Sequence, residues 1–142
     1  PRQRIGVTAM GLLSVIVAAA AAWLWGAAWY MALSKPWLRA AGVPCDESGK
    51  PLNAGSPLPF LLSAIAMLLV AGMMRHMLAM SGLSGAMPSA VTGLGVGLFF
   101  IAPWVMINNA YAGRPAILTL IDGGYAVTGC MLIGLILGLF AA

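Results

Sequence analysis

Four long apolar runs divide the chain, at Ile5 to Leu33, Phe60 to Met80, Ser89 to Ala110 and Ala116 to Phe140. Each run is continuous rather than alternating. A membrane-spanning strand would read as roughly ten residues of alternating character, whereas about 20 successive apolar residues match a helix crossing a ~30 Å hydrocarbon core. The pattern predicts an all-α protein, an integral membrane four-helix transmembrane bundle. It forms a single domain over residues 1–142, with helices at about 5–33, 60–80, 89–110 and 116–140.

The polar interruptions carry turn and breaker residues. Pro36 disfavours helix at Lys35, so a break is expected there, opening a polar stretch to about residue 59 that holds Trp37, Pro44-Cys45-Asp46-Glu47 and Lys50-Pro51. Pro57 and Pro59 suit the start of the second helix, where a missing amide does no harm. Ser81 to Gly85 form a short link, and Pro88 opens the third helix. Pro103 falls inside that helix, where it removes a backbone bond and is expected to produce a kink and free the Phe99 carbonyl. Gly113 closes the third helix and Pro115 begins the fourth. Short links pack successive helices antiparallel. One face then gathers the N-terminus, the 81–88 link and the C-terminus, and the other gathers the 34–59 stretch and the turn at 111–115.

Composition agrees with the pattern. The 142 residues are 62% hydrophobic and 7% charged, against about 25% charged in soluble domains. The net charge of +4 is no nucleic-acid footprint, since Arg2, Arg4, Lys35, Arg39, Lys50, Arg75 and Arg114 are scattered near helix ends, where cations anchor in headgroups. The bilayer is the expected partner, and nucleic acid is not. The basic residues divide almost evenly between the two faces, but Arg2 and Arg4 flank the first helix directly and favour cytoplasmic termini. Arg2, Arg4, Ile5 to Val17 and Ala18 to Ala22 resemble a secretory leader. The apolar run continues through Trp23-Leu-Trp-Gly to Tyr30, too long for one, so a retained span is expected. Cys45 in a loop and Cys130 in an apolar run form neither a disulfide framework nor a metal motif.

The candidate chemistry gathers at one depth. Asn108 and Asn109 lie near the end of the third helix, Arg114 at the turn, and Asp122 and Tyr125 early in the fourth. Trp29 and Tyr30 end the first helix on the same face. Polar groups in hydrocarbon need partners. This layer, in which Arg114 is positioned to pair with Asp122 and the amides to donate to it, reads either as an interhelical clasp or as a polar site or ion path. Gly93, Gly97, Gly134 and Gly138 make small-xxx-small patterns that allow close helix approach, more readily within one chain than between chains.

Met73, His76, Met77 and Met80 share a helical face at i, i+3, i+4 and i+7. Thioether and imidazole suit Cu(I), but methionine also fills apolar gaps, and the adopted reading has no metal and no cofactor. Trp29, Tyr30 and Trp37 read as interfacial anchors, and Trp23 and Trp25 as deeper packing residues. No nucleophile is paired with a base, no carboxylate pair lies in the membrane, and no phosphate loop follows a strand.

The motifs Gly26-Ala-Ala-Trp29-Tyr30, Lys35-Pro-Trp37, Gly42, Asn109-Ala-Tyr-Ala-Gly-Arg114-Pro115, Ile121-Asp122-Gly-Gly-Tyr125 and Gly134 to Gly138 resemble a bacterial membrane-protein family, domain of unknown function 1761. The resemblance covers nearly the whole chain and implies a four-helix membrane protein, with no activity attached. The expected function is non-enzymatic: a multi-pass structural or accessory subunit in the bacterial inner membrane, associating with itself or with other membrane-protein subunits. The alternatives are a transporter or channel protomer using Asn108, Asn109, Arg114 and Asp122, and, further off, a lipid- or quinone-modifying enzyme.

Overall fold

The computed structural model describes residues 2–141, with side chains described from Met10 onward. The anchoring expected of the Arg2 and Arg4 side chains lies outside the described residues. The helices are α1 (Arg2–Ala32), α2 (Ser34–Ala41), α3 (Leu58–Ser81), α4 (Ala86–Val96), α5 (Ala102–Tyr111) and α6 (Ala116–Ala141), with a π-helical turn at Gly97–Ile101 joining α4 to α5. Four spans are long and apolar enough to cross a membrane: Met10–Ala32, Leu58–Ser81, Ala86–Tyr111 and Ala116–Ala141. They overlap the four apolar runs, and the second, third and fourth agree with them to within a turn at each end.

One local expectation is corrected. The break after the first helix falls at Leu33 (φ −106°, ψ 18°) rather than at Lys35. Pro36 then sits in the first turn of α2, where its missing amide costs no helical bond, and the chain continues as helix to Gly42, which caps it at φ 68°. The long polar stretch thus contains a helix that the proline concealed. Its remainder is a tight hairpin, with Cys45 bridged to Pro51 and the Leu52 amide donating to the Pro44 carbonyl at 3.0 Å. One carboxylate oxygen of Asp46 accepts from the Ser48 hydroxyl, the Ser48 amide and the Lys50 amide at 2.6, 2.9 and 3.0 Å. The Ser48 hydroxyl bond first, then the backbone amides, hold the Asp46 carboxyl below its ordinary value.

The proline inside the third span, Pro103, follows the π-turn. It lies in the first turn of α5, and the backbone on either side of the π-turn stays helical, with φ −61° at Val96 and −59° at Ala102. The Ala102 amide reaches back to the Gly97 carbonyl. The wider turn absorbs the proline by adding a residue to the coil, so α4 and α5 form one span through it.

The fourth span is the hub. α6 packs against α4, the π-turn and α5 on one flank and α1 on another, with α2 and α3 beside it, while α3 rests mainly on α1. Ala18, Ala19 and Ala22 of α1 meet Ala71, Met74 and Leu78 of α3 and Cys130, Ile133 and Leu137 of α6 in the buried core. Lipid is as apolar as these side chains, so association rests on close packing rather than on expulsion of water.

The α4–α6 contact is the tightest. A methyl group added at Gly93 would fall on the Cys130 carbonyl, at Gly97 on Ala126, at Gly134 on the Ser89 carbonyl and at Gly138 on the Gly85 carbonyl. A small residue at every fourth position of each helix thus brings the two backbones together. The glycines expected to serve packing are engaged within the chain.

Candidate polar layer between α1, α2 and α6

The chain has three acidic residues, and Asp122 is the one that lies in a span. It sits on the second turn of α6, half-buried. One of its carboxylate oxygens, Oδ1, accepts from the Tyr30 hydroxyl at 2.7 Å and from Trp37 Nε1 at 3.1 Å. Tyr30 ends α1 and Trp37 lies in α2, so one carboxylate joins three helices. At 2.7 Å the Tyr30 bond has the ordinary length of a well-formed O–H···O hydrogen bond.

Aromatic rings frame the carboxylate. Tyr30 stands edge-on to Trp37, with centroids 5.7 Å apart, and edge-on to Tyr125, 5.5 Å apart. The Tyr125 hydroxyl donates to the Ala22 carbonyl at 2.8 Å, with Met67 Sδ 3.4 Å away. Trp29 Nε1 donates to the Ile121 carbonyl at 3.0 Å, Trp25 Nε1 to Thr128 Oγ1 at 2.9 Å and Trp23 Nε1 to Ser63 Oγ at 2.9 Å. Two glycines make seats for these rings. A Cβ at Gly26 would lie 2.7 Å from the Tyr125 hydroxyl, and one at Gly124 would lie 2.8 Å from the Trp29 ring. Indole and phenol donors away from water need a polar partner, and the partners here come from other helices.

The remaining candidates are placed around this core rather than in it. Asn109 Nδ2 donates to Thr119 Oγ1 at 3.1 Å across the α5–α6 turn, whereas Asn108 is exposed. Arg114 does not pair with Asp122. Its Nη1 donates to the Ala41 carbonyl at 3.0 Å, capping the end of α2. The reason is geometric: α2 folds back over the 112–115 turn and offers a free helix-end carbonyl nearer than the carboxylate, which α1 and α2 already enclose. Neither amide donates to Asp122: Asn109 bonds to Thr119, and Asn108 is exposed.

Trp37 is the participant that sequence reasoning assigned to the membrane interface. A helix starting at Ser34, with Pro36 in its first turn, was the signal that would have carried its indole to Asp122. Thr119 and Thr128 were also missed, since threonine in an apolar helix is not distinctive by itself.

The soft-ligand set is dispersed outward. His76 is exposed, as are Met73, Met77 and Met80, while Met74 fills the core. Among the described residues no group of three or more His, Cys, Asp or Glu is arranged to hold a metal ion.

A carboxylate held by a phenol and an indole is an acceptor and a tie between helices. No curated protein and no solved structure matches the chain. The family model described as "Protein of unknown function (DUF1761)" matches residues 13–138, from the core of α1 to the end of the α4–α6 contact. With nearly its whole length matched, the chain belongs to the DUF1761 family of proteins of unknown function.

Proposed function

We propose that the protein is a non-enzymatic, multi-pass protein of the bacterial inner membrane that acts by association, as a structural or accessory subunit in a homo-oligomer or a larger membrane complex. The observation that carries this reading is the engagement of the polar layer. Asp122, Tyr30, Trp37, Trp29 and Tyr125 bond to one another or to backbone within the chain, which suits a clasp that fixes helix positions. The glycine faces of α4 and α6 are also occupied internally. The surface offered to a neighbour is therefore α3, whose Leu61, Leu62, Leu69 and Met73 are 55–70% exposed. Cytoplasmic termini accompany the reading, from the basic residues that flank α1.

The test is extraction at native expression level in mild detergent, followed by mass measurement of the intact species. A complex heavier than one chain is expected, and bulky polar substitutions on the outer face of α3 should dissociate it. A bare monomer that leaves no partner behind overturns the proposal.

A second reading, a transporter or channel protomer, has one observation in its favour. Both donors to Asp122 fall on the same oxygen, so the other carboxylate oxygen of a half-buried residue is left to accept a proton or a cation. Under this reading Asp122→Asn abolishes flux in vesicles while the fold survives. Unchanged flux in that variant removes it.

A further inference from the structure

The bundle holds a cavity of about 670 Å³ at the end opposite the Asp122 layer. Small-molecule sites occupy roughly 300–1,000 Å³. Its origin is a packing mismatch. Glycine contacts draw α4 onto α6, while α3 rests on α1 and α6 and shares no comparable interface with α4. The helices therefore part below the link that carries Leu83.

The walls have two kinds of chemistry. Leu78, Leu137 and Phe140 are apolar, and Arg75 brings a cation, with Ser14 and Ser89 beside them. The Arg75 guanidinium crosses from α3 to lie against the α1 backbone at Gly11, where any added Cβ would collide with it. The charge is thus turned across the cavity instead of outward along its own helix. The Ser14 hydroxyl donates to the Gly11 carbonyl at 2.7 Å, so that acceptor is already occupied. Arg75 precedes the end of α3 at Ser81 by about 9 Å at the helical rise, near enough for a long cationic side chain to reach toward the headgroups.

We infer that this cavity seats one anionic glycerophospholipid, with its phosphate on Arg75 and an acyl chain along Leu78, Leu137 and Phe140. Charge complementarity selects an anionic head, and the apolar walls require a tail. The site is independent of the association proposed above, since it uses neither the polar layer nor the outer face of α3.

The experiment reconstitutes the full chain in vesicles of phosphatidylcholine that carry spin-labelled phosphatidylglycerol or spin-labelled phosphatidylcholine with matched chains. The immobilised fraction of each lipid is then measured. Phosphatidylglycerol should be retained about fivefold over phosphatidylcholine, the discrimination typical of one basic residue at a membrane surface. Arg75→Gln should equalise the two lipids, and Arg75→Lys should keep a preference. Ala79→Trp, which fills the cavity with the charge intact, should lower retention of the anionic lipid. Equal retention by the unmodified protein, or a preference that survives Arg75→Gln, overturns the assignment. If Arg75→Gln does not fold, Ala79→Trp decides, and unchanged retention in it overturns the assignment. Displacement of the lipid by inorganic phosphate alone would assign the site to a free anion and overturn it as well.

Discussion

Replacement of Asp122 by leucine removes the acceptor shared by Tyr30 and Trp37 and keeps the volume apolar. The bonds are 2.7 and 3.1 Å long and come from two different helices. Interhelical hydrogen bonds inside a bilayer average ~0.6 kcal/mol and reach ~1.7 kcal/mol. Two such bonds give an expected loss of about 1–3 kcal/mol for Asp122→Leu. Asp122→Asn retains an amide oxygen in the same place and should lose less than half as much.

Tyr30→Phe separates the bond from the packing, because the ring keeps its edge-on contacts with Trp37 and Tyr125. A double-mutant cycle between Tyr30→Phe and Asp122→Leu should therefore yield a coupling of about 0.6–1.7 kcal/mol. The assay is reversible unfolding in mixed micelles, followed by tryptophan fluorescence and by the helical signal. Strict additivity of the two changes, or an Asp122→Leu protein as stable as the parent, would refute the view that the carboxylate ties α1 and α2 to α6.

Further outcomes follow from other parts of the fold. Gly93→Ala puts a methyl group on the Cys130 carbonyl and should cost about 1–3 kcal/mol as overpacking. Gly95→Ala, with nothing within 4 Å of the added atom, should be neutral or stabilising, and the same unfolding assay compares them. Cys45 is exposed and Cys130 buried, so a membrane-impermeant maleimide should label Cys45 alone. With cytoplasmic termini that labelling occurs from outside intact cells, and labelling confined to inverted vesicles would reverse the orientation. The Asp46 carboxyl is held below its ordinary value, so the hairpin order it supports is fully present above the unfolded value and is lost as pH falls through the lower folded one. Carboxyl chemical shifts should titrate on the acid side of the ordinary aspartate range, and titration at or above that range would count against the three-donor arrangement.

Much of this protein was legible in one dimension. Continuous apolar runs fix four spans, because in hydrocarbon every backbone amide and carbonyl must be paired within its own helix. Short links made neighbours antiparallel, which placed Tyr30, Asp122 and Tyr125 at one depth, and glycine at every fourth position foretold the close α4–α6 approach. Partner choice was not legible in that way. Whether Asp122 bonds to Arg114 or to Tyr30 and Trp37 depends on α2 folding back over the turn, and Pro36 disguised that helix as a break. The π-turn before Pro103 depends on how two halves of one span lie against α6. The Arg75 cavity depends on a mismatch between a glycine-tight helix pair and a looser one. A sequence determines which groups need partners and at what depth, because that demand is local to each residue. Only the tertiary structure decides which partner is met, because hydrogen bonds and close contacts act over a few ångströms and a small shift of one helix exchanges one neighbour for another.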